Sequence, residues 1–495
     1  MKPIKYHYIF LLLPALLFIG CEDFLQKDPQ GELTQESFPT SKEDALLATN
    51  AVYTSSRNWF YSYGGYPILD IMSDDSHKGS NPSDQFSTLG PYDNFKITTS
   101  QDGLDRWWST LYEGIKRANV VIEKVPLIQM DTVLRRRYVA EARFLRGMYY
   151  FDLVRAWGGV PLVTSLNPPL KLTKSTKEEV YALVEKDLLF AFQTLDEKST
   201  QPDIELGRAT RGAAGGMLAR FYLFKQDFVN AEKYAMEVVN SGEYSLEPVY
   251  TDANGVKGEN GVESVFEIGA LQSEGTENGG NQYANTQGVR GTPNRGWGFN
   301  RPSISLRNSF ENDDPRLKGT IIDLGDVLDG IAILGDGTSP DETKDGQGNV
   351  IEIECYNRKV WVPGINTITQ WGHHRRIIRY ADVLLMAAEA LNENNKPAQS
   401  LVYLNLVRER ARQGNTTILP DITTQDKNQL RASILLERRH ELALEGLRFW
   451  DLVRTGKASE ILGPMGFVQG KHELLPIPQN EIDISQGTLS QNLNW

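Results

Sequence analysis

The chain has 495 residues, 40% of them hydrophobic, with a formal net charge of −12 at pH 7 and a pI near 5.2. That length exceeds one typical domain, so one large domain with insertions and two intimate halves are both allowed. The acidic balance, with no basic stripe to neutralise phosphates, excludes nucleic acid as a partner.

At the N-terminus Lys2 and Lys5 precede the apolar run Ile9 to Ile19, followed by Gly20-Cys21. The run is about half the roughly 20 residues that span a bilayer, and Pro14 interrupts it. A basic start, a short apolar core and a small residue before the cut read as an export signal over residues 1–20. Phe18-Ile19-Gly20-Cys21 resembles a lipobox, in which the cysteine carries lipid and begins the mature protein. The alternative is an ordinary secretory signal with an incidental cysteine. Several acyl chains on Cys21 hold a domain stably at a membrane, where one chain gives marginal binding. With Cys21 acylated, Cys355 is the one remaining thiol, so neither an intramolecular disulfide nor a cysteine-based metal cluster is expected. Cys355 lies in an alternating stretch and reads as a small buried hydrophobe.

Residues 103–125 place Leu104, Trp107, Trp108, Leu111, Ile115, Ala118 and Ile122 on one helical stripe. Residues 133–157 repeat the period, and Gly158-Gly159-Val160-Pro161 stops that helix. Thr210 caps a predicted helix to about Lys225, and Phe228 to Asn240 forms its partner. Ile378 to Leu391 pairs in the same way with a helix opened by Pro397 after the turn Asn394-Asn395-Lys396. Such short-looped pairs resemble tetratricopeptide repeats, whose unit is about 34 residues. A last long helix is predicted over 427–455. Between the pairs, about 245–375, Gly, Asn, Asp and Thr dominate, and short alternating runs at Val262–Ile268 and Val350–Cys355 predict small strands. The expected architecture is mostly α: a tetratricopeptide-like scaffold of helical pairs with a large loop-rich insertion carrying small β elements. The expected division is 21–244, 245–375 and 376–495. A structureless block of that length inside a compact protein is usually functional.

Several segments, in order, resemble the SusD/RagB family of outer-membrane glycan-binding lipoproteins. They are Cys21-Glu22-Asp23-Phe24-Leu25 with Pro29, Trp107 to Asn119, and Glu141 to Arg146 with Gly158-Gly159-Val160-Pro161. Arg379 to Met386 with Ala388 to Asn392, Leu436 to Gly456, and Leu475-Pro476-Ile477-Pro478 near Gln491-Asn492 complete the set. The resemblance implies a tetratricopeptide-like scaffold with an elaborated loop domain. It implies a place on the outer face of the outer membrane and a SusC-like TonB-dependent transporter as partner. It also implies aromatic binding of oligo- or polysaccharide, with no catalysis; separately, no cofactor is expected.

The motif residues read as structural. Glu445, Arg448 and Asp451 follow one another at i, i+3, which suits ion pairs along a helix packed between neighbours. The enzyme alternative, a glycan hydrolase or lyase, needs two carboxylates flanking a sugar in an open cleft, and no such pair stands out. Zinc is not expected, because His440-Glu441 has no second His at i+4 and His373-His374 are adjacent. Asp341, Asp345 and Glu352 mimic a calcium loop, but Thr343 is a poor third ligand and an Asp-Gly hairpin turn explains the same residues. Sugar recognition needs a ring to stack on the C–H face and polar groups for the hydroxyls. Gly296-Trp297-Gly298-Phe299-Asn300-Arg301, with Asn294 and Arg295, is the best instance. Trp59, Tyr61, Tyr63 and Tyr66 form a second cluster, Phe86 to Tyr92 a third, and Trp361 and Trp371 are further candidates. For each ring the alternative is packing inside the loop region. At least one of Trp107 and Trp108 packs, since both lie on a helix.

Overall fold

A computed structural model describes residues 38–61, 67–169, 171–271, 282–364 and 372–495. The signal segment, Cys21, Tyr63, Tyr66 and Trp371 lie outside the described residues. The protein is mostly α. Its longer helices are α1 (Lys42–Ser56), α2 (Leu104–Lys124), α3 (Thr132–Trp157), α4 (Lys177–Thr194) and α5 (Arg211–Phe224). Then come α6 (Phe228–Asn240), α7 (Tyr380–Glu393), α8 (Pro397–Ala411), α9 (Lys427–Glu441) and α10 (Arg448–Arg454). Short polar side chains start many of them. Ser41 and Thr176 build capping boxes with Asp44 and Glu179, and Thr210, Asp227 and Asp426 accept from first-turn backbone N–H groups. None of the helices among the described residues is long and apolar enough to cross a membrane.

From α1 to α8 each helix packs on the next, and α6 docks directly on α7 although some 140 residues separate them. Two strands make that possible. β2 (Ser264–Ile268) and β6 (Arg375–Arg379) pair antiparallel and sit against α5, pinning the two ends of the intervening segment together. On α5, a Cβ at Gly215 would lie 2.8 Å from Val238 of α6, and one at Gly216 would lie 3.2 Å from Ile378 of β6. The bare backbone there admits both neighbours. Ile378 and Arg379, expected to open the helix that runs to Leu391, are therefore strand, because their backbone pairs with β2.

Trp107 and Trp108 are both buried against Trp157, with ring centroids 4.9 and 5.2 Å away, so both pack. Arg146, also buried, donates to Asp187 and Asn119, which ties α2, α3 and α4. The predicted single helix over 427–455 is broken. After Glu441 the chain turns through left-handed Leu444 (φ 60) and Gly446 (φ 74) before α10. The expected i, i+3 pairs do not form there. Glu445 instead accepts from Lys359 and Arg379, Arg448 donates to Asp74, and Asp451 accepts from Arg438 and Arg454.

These contacts belong to a buried ionic seam. Glu441, fully buried, accepts from Arg379 at 2.9 Å and Arg410 at 2.5 Å, while Arg316 lies 3.4 Å away. Burial works against its charge, but Arg410, Arg379 and Arg316 overcome it and hold the carboxyl at about 2. Charged side chains thus form the joint between α7–α9 and the loop region.

Candidate functional site

The loop region meets the N-terminal half through β1 (Ser76–Gly79), which pairs antiparallel with β3 (Phe299–Pro302). Gly79 opposes Phe299 in this ladder. It has φ +69, and a Cβ there would lie 2.5 Å from the Gly298 carbonyl, so only glycine fits. Ser80, also left-handed at φ 55, donates its N–H to Gly298 O at 2.6 Å, and the chain swings out through Asp84 and Gln85. On the other side, Thr292 bridges to Gly335, which brings Asp336 and Thr338 alongside.

These segments enclose a cleft of about 670 Å³, lined by residues that include Trp297, Phe299, Arg290, Asn294, Asp84 and Asp336. Its size suits a few sugar rings. Trp297 is partly buried, with the Trp59 ring 5.5 Å behind it. Phe299, 4% exposed, contributes at the floor. Arg290 clamps the two walls: Nη1 donates to Ser80 Oγ at 2.6 Å and to Asp84, and Nε lies 2.8 Å from Asp336 Oδ2. Burial works against the charge of Asp336, yet the backbone N–H groups of Ser339 and Thr338 hold it at about 2. Asp84 is likewise held below the usual range against its partial burial, chiefly by Arg290. Phe86, 71% exposed, stands next to Gln85 of the cleft.

Sequence reading placed Trp297, Phe299 and Asn294 in one site, and the structure brings them together. Other candidates are corrected. Asn300 is fully buried: Nδ2 donates to Gln287 and Asp70, and Oδ1 accepts from Ser76. Arg301 is 4% exposed, with its guanidinium turned to Ser80 O and Glu352. Arg295 is 2% exposed, donates to Val362 O, and lies 4.0 Å over the Trp361 ring. All three are polar residues that β1–β3 pairing and loop packing carry inward. Trp361 is partly buried over Arg295 and donates Nε1 to Asp329 at 2.7 Å. Tyr92 is fully buried in the main core, so it cannot stack on a ligand.

The glycines around Trp297 have packing duties. A Cβ at Gly296 would lie 2.5 Å from Asn285 O, and Gly298 has φ +74. Trp297 itself packs on the edge of the main core.

The would-be calcium loop is a hairpin, β4 (Glu342–Lys344) with β5 (Val350–Ile353). Asp345 accepts from the backbone N–H groups of Gln347 and Asn349, and Glu352 faces Arg301. Asp341, Asp345 and Glu352 are not among the groups that converge within 4.8 Å. Glu311, Glu437 and His440 do converge, but a cation there would meet Arg408 and Arg316, which already hold the two glutamates.

A second groove of about 560 Å³ runs past Trp108, Tyr112 and the C-terminal segment around Glu481. Trp108 is only 3% exposed and the Tyr112 hydroxyl donates to Pro161 O, so that groove offers little open ring face.

Two family models match the chain. The SusD family matches residues 262–470, and starch-binding proteins associating with the outer membrane match residues 23–223. SusD-like protein P2 of Formosa agariphila is 29% identical, over 99% of this chain and 99% of its own. A SusD-like protein of Bacteroides ovatus is 28% identical, over 91% of this chain and 82% of its own. Among solved structures, a laminarin binding SusD-like protein has TM-score 0.79 at 28% identity, covering 92% of this chain and 100% of that one. Surface glycan-binding protein A from Bacteroides thetaiotaomicron in complex with laminarihexaose has TM-score 0.75 at 27% identity, with 92% and 100% covered.

Proposed function

This chain belongs to the SusD family, and from that premise we propose that it captures oligo- or polysaccharide at the cell surface and passes it to a SusC-like TonB-dependent transporter. Carbohydrate binding, not catalysis, is the family's activity. Lipid on Cys21 anchors the protein to the outer membrane with the loop region toward the medium. Association with the outer membrane is in keeping with the family description matched by residues 23–223.

One observation supports the cleft as the binding site: an aromatic ring, Trp297, stands beside open polar groups in a concavity of about 670 Å³. The indole covers the C–H face of a sugar, while Asp84, Arg290, Asn294 and Thr338 reach its hydroxyls. The enzyme alternative finds little support in these carboxylates. Asp336 is ionised at neutral pH and so has no proton to give a leaving group, and Arg290 is wedged between it and Asp84.

The test is Trp297→Ala, titrated calorimetrically with a bound glycan. Stacking is worth about 0.5–1.5 kcal/mol between rings. With the apolar area covered, at about 25 cal/mol per Å², the loss reaches about 1–3 kcal/mol, or roughly five- to 150-fold in affinity. Trp297→Phe keeps a ring against Trp59 and is expected to recover part of it. Unchanged affinity in Trp297→Ala would remove the cleft from the binding surface.

A further inference from the structure

We infer that the cleft is built for uncharged glycans and discriminates against sulfated or uronate-rich ones, with Asp84 as the discriminating group. This rests on the glycan-binding reading above and names the substrate class of the same site.

The positive charge at the cleft is already spent. Arg301 and Arg295, close by, are buried and turned away, Arg301 to Glu352 and Ser80 O and Arg295 to Val362 O and the Trp361 ring, which leaves two cations at the cleft among the described residues. Arg290 is shared between Asp84 and Asp336. Lys78 is 8% exposed, and its ammonium donates to the carbonyls of Gly79, Asn81 and Asp84 at 2.8, 3.0 and 2.8 Å. Against them stand Asp84, Asp336 and Glu354, the last buried beneath the Gly335–Asp336 wall. The local balance is therefore negative: among the described residues, Arg290 is matched by two carboxylates and the Lys78 ammonium is turned to carbonyls, so neither has its charge free for an anionic substituent.

What remains open is suited to hydroxyls. Asp84 is the exposed member, with 38% of its side chain accessible, and Oδ1 has no partner among the described residues. Nη2 of Arg290 is likewise without a partner among the described residues. An acceptor and a donor side by side, next to the Trp297 ring, match adjacent hydroxyls on one sugar face. A sulfate or carboxylate in the same place would meet Asp84 at short range, where like charges repel by an amount worth tenfold or more in affinity.

The full-length protein, solubilised in detergent, is titrated with four neutral polysaccharides (a β-glucan, an α-glucan, a mannan and a xylan). A sulfated derivative of each is titrated in parallel, at about 20 mM and about 500 mM salt, since screening shortens with ionic strength. The expected result is binding of at least one neutral glycan, about tenfold or more weaker binding of its sulfated form at low salt, and a smaller gap at high salt. Asp84→Asn is expected to narrow the low-salt gap several-fold. A sulfated form that binds as tightly as its parent at low salt, or a gap that Asp84→Asn leaves unchanged, overturns this inference and leaves glycan capture standing. Failure to bind any neutral or sulfated glycan overturns the glycan-binding reading itself, and this one with it.

Discussion

Replacing Glu441 by Gln keeps the shape of a fully buried side chain and removes one negative charge from the centre of the ionic seam. Arg379, Arg410 and Arg316 then face a neutral amide, while the backbone carbonyl of residue 441 still accepts from Lys359 and Arg379. Two routes give the cost. Removing one partner of a buried ion pair costs about 3–5 kcal/mol. Linkage gives the same order: the Arg neighbours hold the carboxyl well below its usual 4.5 against its burial, a stabilisation on the order of a few kcal/mol at neutral pH. The sign is fixed by the direction of the shift. A lowered folded-state pKa gives stability that is present in full above the unfolded value near 4.5 and lost as pH falls toward about 2. Urea unfolding of wild type and Glu441→Gln at pH 7 is therefore expected to differ by about 3 kcal/mol, a large share of a typical 5–15 kcal/mol. The gap is expected to close on acidification through pH 4 toward 2. A difference below about 1 kcal/mol at pH 7, or a gap that does not change with pH, would refute the account of the seam.

Gly79→Ala forces a side chain into a left-handed position against the Gly298 carbonyl. It is expected to cost about 1–3 kcal/mol of stability and to weaken glycan binding, read by melting and calorimetry together. Cys21→Ala is expected to move the protein from the membrane fraction to the soluble one, seen by fractionating cells that lack the partner transporter. Affinity purification of the wild type from native membranes is expected to recover a TonB-dependent barrel, and repeated recovery without one would count against the delivery step.

The helical array was legible because its signals are local. The stripe from Leu104 to Ile122, the stop at Gly158 to Pro161 and the capping Thr210 each depend on residues within a few positions of one another. The break after Glu441 was not, since its charges are spaced as on a helix and only the distant Arg379, Lys359 and Asp74 show where they go. Asn300 and Arg301 looked exposed for the same reason: polarity is written in the sequence, but the β1–β3 pairing that buries them is not. Trp297 was found from its neighbours. Asp84, Arg290 and Asp336 were missed, because three residues so far apart become one clamp only through Gly79 and the Thr292–Gly335 bridge.

The pairing of β2 with β6 has a kinetic side. The strands are separated by about 100 residues, and closing a loop of that length costs about 4 kcal/mol of chain entropy before any contact repays it. The unit formed by α5 and α6 is local and can fold early, whereas α7 reaches its place on α6 only when that loop has closed. As the chain emerges N-terminus first, the α6 surface that later meets α7, around Val239, is left bare while the whole loop region follows. That interval is when the protein is most prone to aggregate or to be cleaved. Refolding is accordingly expected in two phases, with the slower one reporting the arrival of the C-terminal helices on a scaffold already half built.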